Sequence, residues 1–284
     1  MFKAYLNLTK PGIIMGNVIS AAAGFFLASH GQPNLTIFIA TMIGTAFIIG
    51  ASCVFNNYID RDIDKKMDRT KNRALAKGSI PVVNALSFGG VLGILGFLIL
   101  FMYTNLITVF IGLVGVVFYV VLYGIAKRRS IYGTLVGSVS GATPIVAGYT
   151  AVTNSFDLGA LLLFIILVVW QMPHFYAIAI YRLEDYKNAK IPVLPAVAGI
   201  RVTKLHILAY AFAFLVATYL LARFGYTGYV YLGAIFIFEL NWLVTISQGF
   251  RTKDIKTWSR NVFKYSLVVL TIFCLLISFD SILR

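Results

Sequence analysis

The chain has 284 residues, of which 60% are hydrophobic and only 12% charged, and its mean hydropathy is +0.87. That balance excludes a soluble globular domain and leaves a polytopic membrane protein, in which about 20 apolar residues make one crossing. The net charge of +14 does not indicate a nucleic-acid partner, because no basic patch with interleaved aromatics accompanies it and a loop bias accounts for most of it.

Apolar runs of spanning length lie near 12–30, 36–57, 82–102, 106–124, 133–150, 157–180, 203–222, 227–248 and 262–280, which predicts nine transmembrane helices and an all-α fold. The preceding MFKAYLNLTKPG is too short for a transit peptide, and the first run lacks a cleavage-type ending, so no removal is expected. Lys10 at its edge, with Asn17 two turns deeper, is a candidate anion contact.

The second run ends in NNYIDRDIDKKMDRTKNR (56–73), with carboxylates at Asp60, Asp62, Asp64 and Asp68. Charge this dense at a membrane boundary is costly, which marks a functional segment. On a helix Asn56, Asp60, Asp64 and Asp68 follow one another at i+4 and stack along one face, whereas Asp62 points elsewhere. Hard oxygen ligands of this kind suit Mg²⁺, which usually takes one or two protein carboxylates and lets a substrate phosphate complete its shell. Arg61, Arg69, Lys71 and Arg73 would then sit near the bound anion, and mixed Asp and Arg favours a diphosphate over bare metal.

The fourth span closes on Lys127, Arg128 and Arg129, with Tyr123 one turn earlier. Such a triplet serves as a topology anchor and is placed to contact a diphosphate. In the sixth span, Trp170, Gln171, Met172, Pro173 and His174 form an unusual run in which Pro173 frees a backbone carbonyl. His174 should therefore face protein or cavity, as a contact for an acceptor, either as a base or as an iron ligand. Directly after this span come Tyr181, Arg182, Glu184, Asp185 and Lys187. This second cluster has only adjacent carboxylates, which do not share a helical face, so its metal site is less complete than the first. Glu239 and Asn241 lie deep in the eighth span, where the carboxyl must be protonated or paired. Cys53 and Cys274 sit inside spans without metal-ligand spacing and read as small core residues rather than a disulfide.

All Lys and Arg residues except Arg223 and Arg284 fall in loops on one side of this arrangement. By the positive-inside bias the N-terminus is cytoplasmic and the C-terminus lies on the far side. The long connections, 58–81 and 181–202, are then both cytoplasmic, and EDYKNAKIPV (184–193) echoes DRTKNRALAKGSIPV (68–82). The echo implies two related four-helix halves with the site at their interface. A secondary transporter, which also uses repeats, would concentrate charge near the midplane, whereas here nearly all of it collects on one face.

The Asn-x-x-x-Asp-x-x-x-Asp pattern at 56–64, its continuation MDRTKNR, the WQMPHF run at 170–175 and IPVLP at 191–195 together resemble the UbiA superfamily of intramembrane prenyltransferases. Pro-His after the tryptophan and the Met-Asp-Arg-Thr run resemble its haem branch, the protohaem IX farnesyltransferases or haem O synthases. The resemblance covers essentially the whole chain as one domain, 1–284. It implies a helical bundle around a central cavity capped by the two long loops. It also implies that Asn56, Asp60 and Asp64 bind Mg²⁺ and farnesyl diphosphate, with Arg61, Lys71, Arg73 and Lys127 around the phosphates. Lys10, Asn17, Tyr123, Arg128, Tyr181 and Lys187 complete the substrate contacts, Asp185 is a further metal ligand, and His174 helps to bind haem. The implied partners are farnesyl diphosphate, haem B and membrane lipid, with an oxidase-assembly step downstream, in a bacterial inner membrane with the site facing the cytoplasm. A quinone or chlorophyll prenyltransferase of the same superfamily would share the metal site and differ in its acceptor. Two departures stand out: Asn57 occupies a position where many members have Asp, and Asp185 is followed at i+4 by Ala189, so the second acidic motif is incomplete.

Overall fold

The computed structural model describes residues 2–283, with side chains to Asp280. Arg284, one of the two basic residues on the sparsely charged side, lies outside the described residues. Nine helices among the described residues are long and apolar enough to cross a bilayer: Pro11–Ser29, Leu35–Ile59, Val82–Tyr103, Leu106–Arg129, Gly133–Thr153, Leu158–Tyr181, Gly199–Arg223, Tyr229–Phe250 and Ile255–Asp280. Polar residues set their ends, as the side chains of Asn34, Asn105 and Asp157 accept the first free N–H groups of the second, fourth and sixth spans. The connections at one end of the bundle are a few residues long. Those at the other wind into short helices, Arg61–Asp64 and Ala74–Lys77 in the first long loop and Leu183–Asn188 and Leu194–Val197 in the second.

The spans are packed unevenly, and this places the cavity. The first and fifth spans touch backbone to backbone: a Cβ on Gly24 would collide with the carbonyl oxygen of Ile145, and one on Gly148 with that of Ala21. Phe214, Trp242, Ile235 and Phe273 are fully buried and fill the space between the last three spans. No residue of the seventh or eighth span therefore lines the principal cavity, which lies among spans one to six and the ninth. Glu239 and Asn241 of the eighth span take no part in it. Glu239 accepts the Thr218 hydroxyl at 2.6 Å, which pairs its buried carboxyl, and Asn241 binds its own helix at the Ile237 carbonyl.

Two helices adapt around the cavity. Pro144 removes the bond that would reach the Ser140 carbonyl, and the Thr143 hydroxyl donates to that oxygen instead at 2.8 Å. Pro173 likewise sits within the sixth span without ending it. In the fourth span, residues Val117–Leu122 open into a π-helical turn, a departure common where side chains are aimed at a functional site.

Candidate active site

At the capped end of the bundle the second span stops at Ile59, and Asp60 bends the chain into the short helix Arg61–Asp64. The i+4 ladder survives the bend, because the N–H of Asp60 donates to the Asn56 carbonyl at 2.9 Å and that of Asp64 to the Asp60 carbonyl at 2.8 Å. Asn56, Asp60 and Asp64 are consequently all buried and all line a cavity of about 510 Å³. Asp68, the next residue in the register, falls beyond the helix in a turn, is exposed and pairs with Lys71 at 2.7 Å. The shared face ends at Asp64.

Each of the three inward side chains is covered by a cation. Lys10 donates to Asn56 Oδ1 at 3.0 Å, Lys127 pairs with Asp60, and Arg73 grips both oxygens of Asp64 at 3.0 and 2.8 Å. Lys10 is held at the edge of the first span in a left-handed conformation, φ 53°. Desolvation at that position lowers its ammonium from the usual lysine range to about 8. Beneath them the rings of Tyr119 and Tyr123 stack 5.8 Å apart, with Lys127 over the Tyr123 face at 5.3 Å. Tyr119 Oη lies 3.5 Å from Asn56 Oδ1.

The donor set fits Mg²⁺. Asp60 Oδ1 is buried without a hydrogen-bond partner, an oxygen held in reserve for a cation, while the unpartnered Asn56 Nδ2 is an N–H donor suited to a phosphate oxygen. No group of three or more His, Cys, Asp or Glu residues occurs among the described residues, so a closed all-protein cage is absent there. Two carboxylates and an amide oxygen, with a substrate phosphate to complete the shell, are the usual requirement of Mg²⁺.

Several expected contacts lie elsewhere. Arg61 folds back over the Tyr58 ring at 4.2 Å and donates to the Tyr58 carbonyl, and Lys71 is taken up by Asp68, so neither lines the cavity. Both sit on the outer side of turns whose inner side carries Asp64 and Arg73. Arg128 also points out. It clasps Asp62 through both terminal nitrogens at 2.9 and 2.8 Å, holding that carboxyl down at about 2, and reaches only 3.9 Å from Asp60. Asp62, off the inward face as the register required, thus fixes the end of the fourth span.

The second cluster lies off the cavity wall. Asp185 has Arg182 at 3.8 Å, Lys187 pairs with Glu184 at 3.2 Å, and Tyr181 packs on Phe263; none of Tyr181, Asp185 and Lys187 lines the cavity. The reason is apolar: Tyr186 and Ile191 pack with Ile63, Met67 and Ala189, which joins the two long loops into one cap. The face of Leu183–Asn188 that turns inward is therefore the one carrying Tyr186, whose hydroxyl is shifted up by burial. Asn57, the residue in place of an Asp, is structural here, donating to the Leu8 carbonyl at 2.9 Å.

Deeper in, Asn17, Gln171 and His174 line the same cavity as the acids. Gln171 bridges the Ser138 and Leu167 carbonyls at 2.9 Å each, tying the fifth span to the sixth. Cys53 is buried and free, and also lines the cavity, while Cys274 is a free thiol in the core. Among the lining residues not singled out in the sequence are Tyr119 and Tyr186. Tyr119 precedes Tyr123 by one turn on the same helical face, a spacing visible in the sequence, whereas nothing local marks Tyr186 as the inward residue of its loop.

The sequence model of the UbiA prenyltransferase family matches residues 17–268. The chain belongs to that family. It is 50% identical over 281 residues to a protohaem IX farnesyltransferase of Citrobacter koseri, covering 99% of this chain and 95% of the relative. A protein of the same name from Chromohalobacter salexigens matches at the same identity and coverage. Among solved structures, a digeranylgeranylglyceryl phosphate synthase superposes with a TM-score of 0.82 at 18% identity, over 100% of this chain and 99% of that one. A UbiA homologue from Archaeoglobus fulgidus bound to GPP and Mg²⁺ superposes with a TM-score of 0.70 at 15% identity, over 94% of this chain and 99% of that one. These superpositions establish the UbiA fold, and the family with its nine apolar helices makes this a multi-pass integral membrane protein.

Proposed function

We propose that this protein transfers the farnesyl group of farnesyl diphosphate to a vinyl group of haem B with addition of water, giving haem O and diphosphate. The observation that carries this reading is a buried acid–cation cluster, Asp60 with Lys127 and Asp64 with Arg73, set at the capped end of an otherwise apolar cavity that also holds His174. The half-identity over nearly the whole length to relatives called protohaem IX farnesyltransferase supports haem as the acceptor.

Asn56, Asp60 and Asp64 hold Mg²⁺, which when bound supplies Lewis-acid stabilisation of the leaving diphosphate. Lys10, Lys127 and Arg73 exchange their protein partners for diphosphate oxygens, so positive charge already in place meets the negative charge that develops as the allylic C–O bond breaks. The stacked Tyr119 and Tyr123 rings offer their faces to the farnesyl cation, and the apolar wall keeps bulk water from it. The terminal carbon of a haem vinyl group then bonds to the allylic carbon. The cation left on the carbon beside the porphyrin takes up water and loses a proton, which leaves the hydroxyethylfarnesyl side chain.

In this reading the chain is a single domain with its cap and N-terminus on the cytoplasmic side of a bacterial inner membrane, consistent with the charge bias of its loops. Its product serves assembly of a haem-using oxidase. The test incubates purified protein with haem B, farnesyl diphosphate and Mg²⁺ and looks for a heavier, more hydrophobic haem by mass. Prenylation of a quinone precursor with no farnesylated haem would replace the reading by that of a quinone prenyltransferase.

A further inference from the structure

His174 sits in a cage that fixes both its orientation and its proton. Its ring stacks on Trp170 with centroids 4.9 Å apart and planes inclined 28°, and Phe263 and Phe175 close on it at 4.9 and 5.1 Å. Trp170 Nε1 donates to the Ser266 carbonyl at 2.9 Å, clamping the sixth span to the ninth at this level. The Ser266 hydroxyl donates its single proton to the Phe263 carbonyl at 2.6 Å. With that proton committed, the 2.8 Å contact between Ser266 Oγ and His174 Nδ1 must run from an Nδ1–H to the hydroxyl oxygen. Nδ1 therefore carries the hydrogen, and Nε2 keeps a lone pair that no described residue engages on a ring lining the cavity.

We propose that His174 Nε2 is an axial ligand to the iron of the haem substrate, anchoring the macrocycle for attack by its vinyl edge. The inference rests on the haem-farnesylating reading. An imidazole whose other nitrogen donates to a relay ending on a backbone carbonyl is the arrangement found around metal-bound histidines, because it fixes the tautomer and strengthens the ligand. Trp170, Phe175 and Leu267, which also line the cavity, make the wall around the ring largely apolar, as the body of a porphyrin requires. None of the groups packed on the ring is an anion, so nothing there would stabilise an imidazolium, and a general base is the poorer assignment. At seven residues before the end of its span, His174 lies about 10 Å below the cap, beneath the level of Asp60. An iron there leaves the edge of the macrocycle room to rise towards the allylic carbon.

The test is resonance Raman spectroscopy of full-length protein loaded with ferrous haem B, with farnesylated haem assayed by mass in the same preparation. The wild type is expected to show an iron–histidine stretching band that disappears in His174→Ala and returns when imidazole is added. Ser266→Ala, which keeps the ring but removes its acceptor, is expected to shift the band to lower frequency. Survival of the band in His174→Ala, or its absence from a wild type that still makes product, would overturn iron ligation and leave the reaction standing. A wild type that neither binds haem nor farnesylates it would overturn both.

Discussion

Lys127→Ala separates two roles that the same side chain plays in succession. In the resting structure Lys127 neutralises Asp60, and their side chains are only 13% and 5% exposed. A metal ion arriving alone must break that pair, and breaking a buried pair costs about 3–5 kcal/mol. Lys127 keeps some access to solvent and can turn towards it, so the lower end applies, and about 3 kcal/mol corresponds to roughly 100-fold in affinity. Removing the lysine should therefore tighten binding of Mn²⁺, used as a probe for Mg²⁺, by about 100-fold in the absence of diphosphate. The same change deletes a donor from the leaving group and should lower turnover by about 100-fold or more. Titration of Mn²⁺ followed by the electron paramagnetic resonance signal of the free ion measures the first effect, and farnesyl transfer measures the second. Metal affinity that stays constant or weakens in Lys127→Ala would refute the view that the cations occupy the metal ligands until substrate arrives.

Asp60→Asn and Asp64→Asn should each reduce turnover by at least about 100-fold while helix content by circular dichroism and elution as a single species are retained; normal activity in both would remove the metal site. Arg61→Ala and Lys71→Ala should stay within about fivefold of wild type, since exposed charges contribute ~0–1 kcal/mol, whereas Arg73→Ala should lose far more, and equal losses in all three would contradict the outward placement of Arg61 and Lys71. Gly148→Leu should lower the unfolding temperature in detergent, because its side chain meets the Ala21 carbonyl and overpacking costs about 1–3 kcal/mol. An unchanged temperature there would mean that the first and fifth spans are not in backbone contact.

Nine crossings and an acidic face at Asn56, Asp60 and Asp64 were legible in the chain, because apolar length and i+4 spacing are properties of the local sequence and the bilayer sets their scale. Even there the register says nothing of where a helix stops, and Asp68 left the face once the chain turned after Asp64. The loops show the limit more sharply. In 61–73 and 181–187 charged residues alternate so closely that every direction holds a candidate, and spacing cannot choose among them. The choice fell to apolar packing between the two loops, where Ile63 and Met67 meet Tyr186 and Ile191, turning Tyr186 into the cavity and leaving Asp185 and Lys187 off its wall. Likewise the sequence flagged His174 as an ionisable group beside a proline within a span, but not its proton. That was decided by Ser266, 92 residues away, because a tautomer depends on which partner the fold brings to each nitrogen.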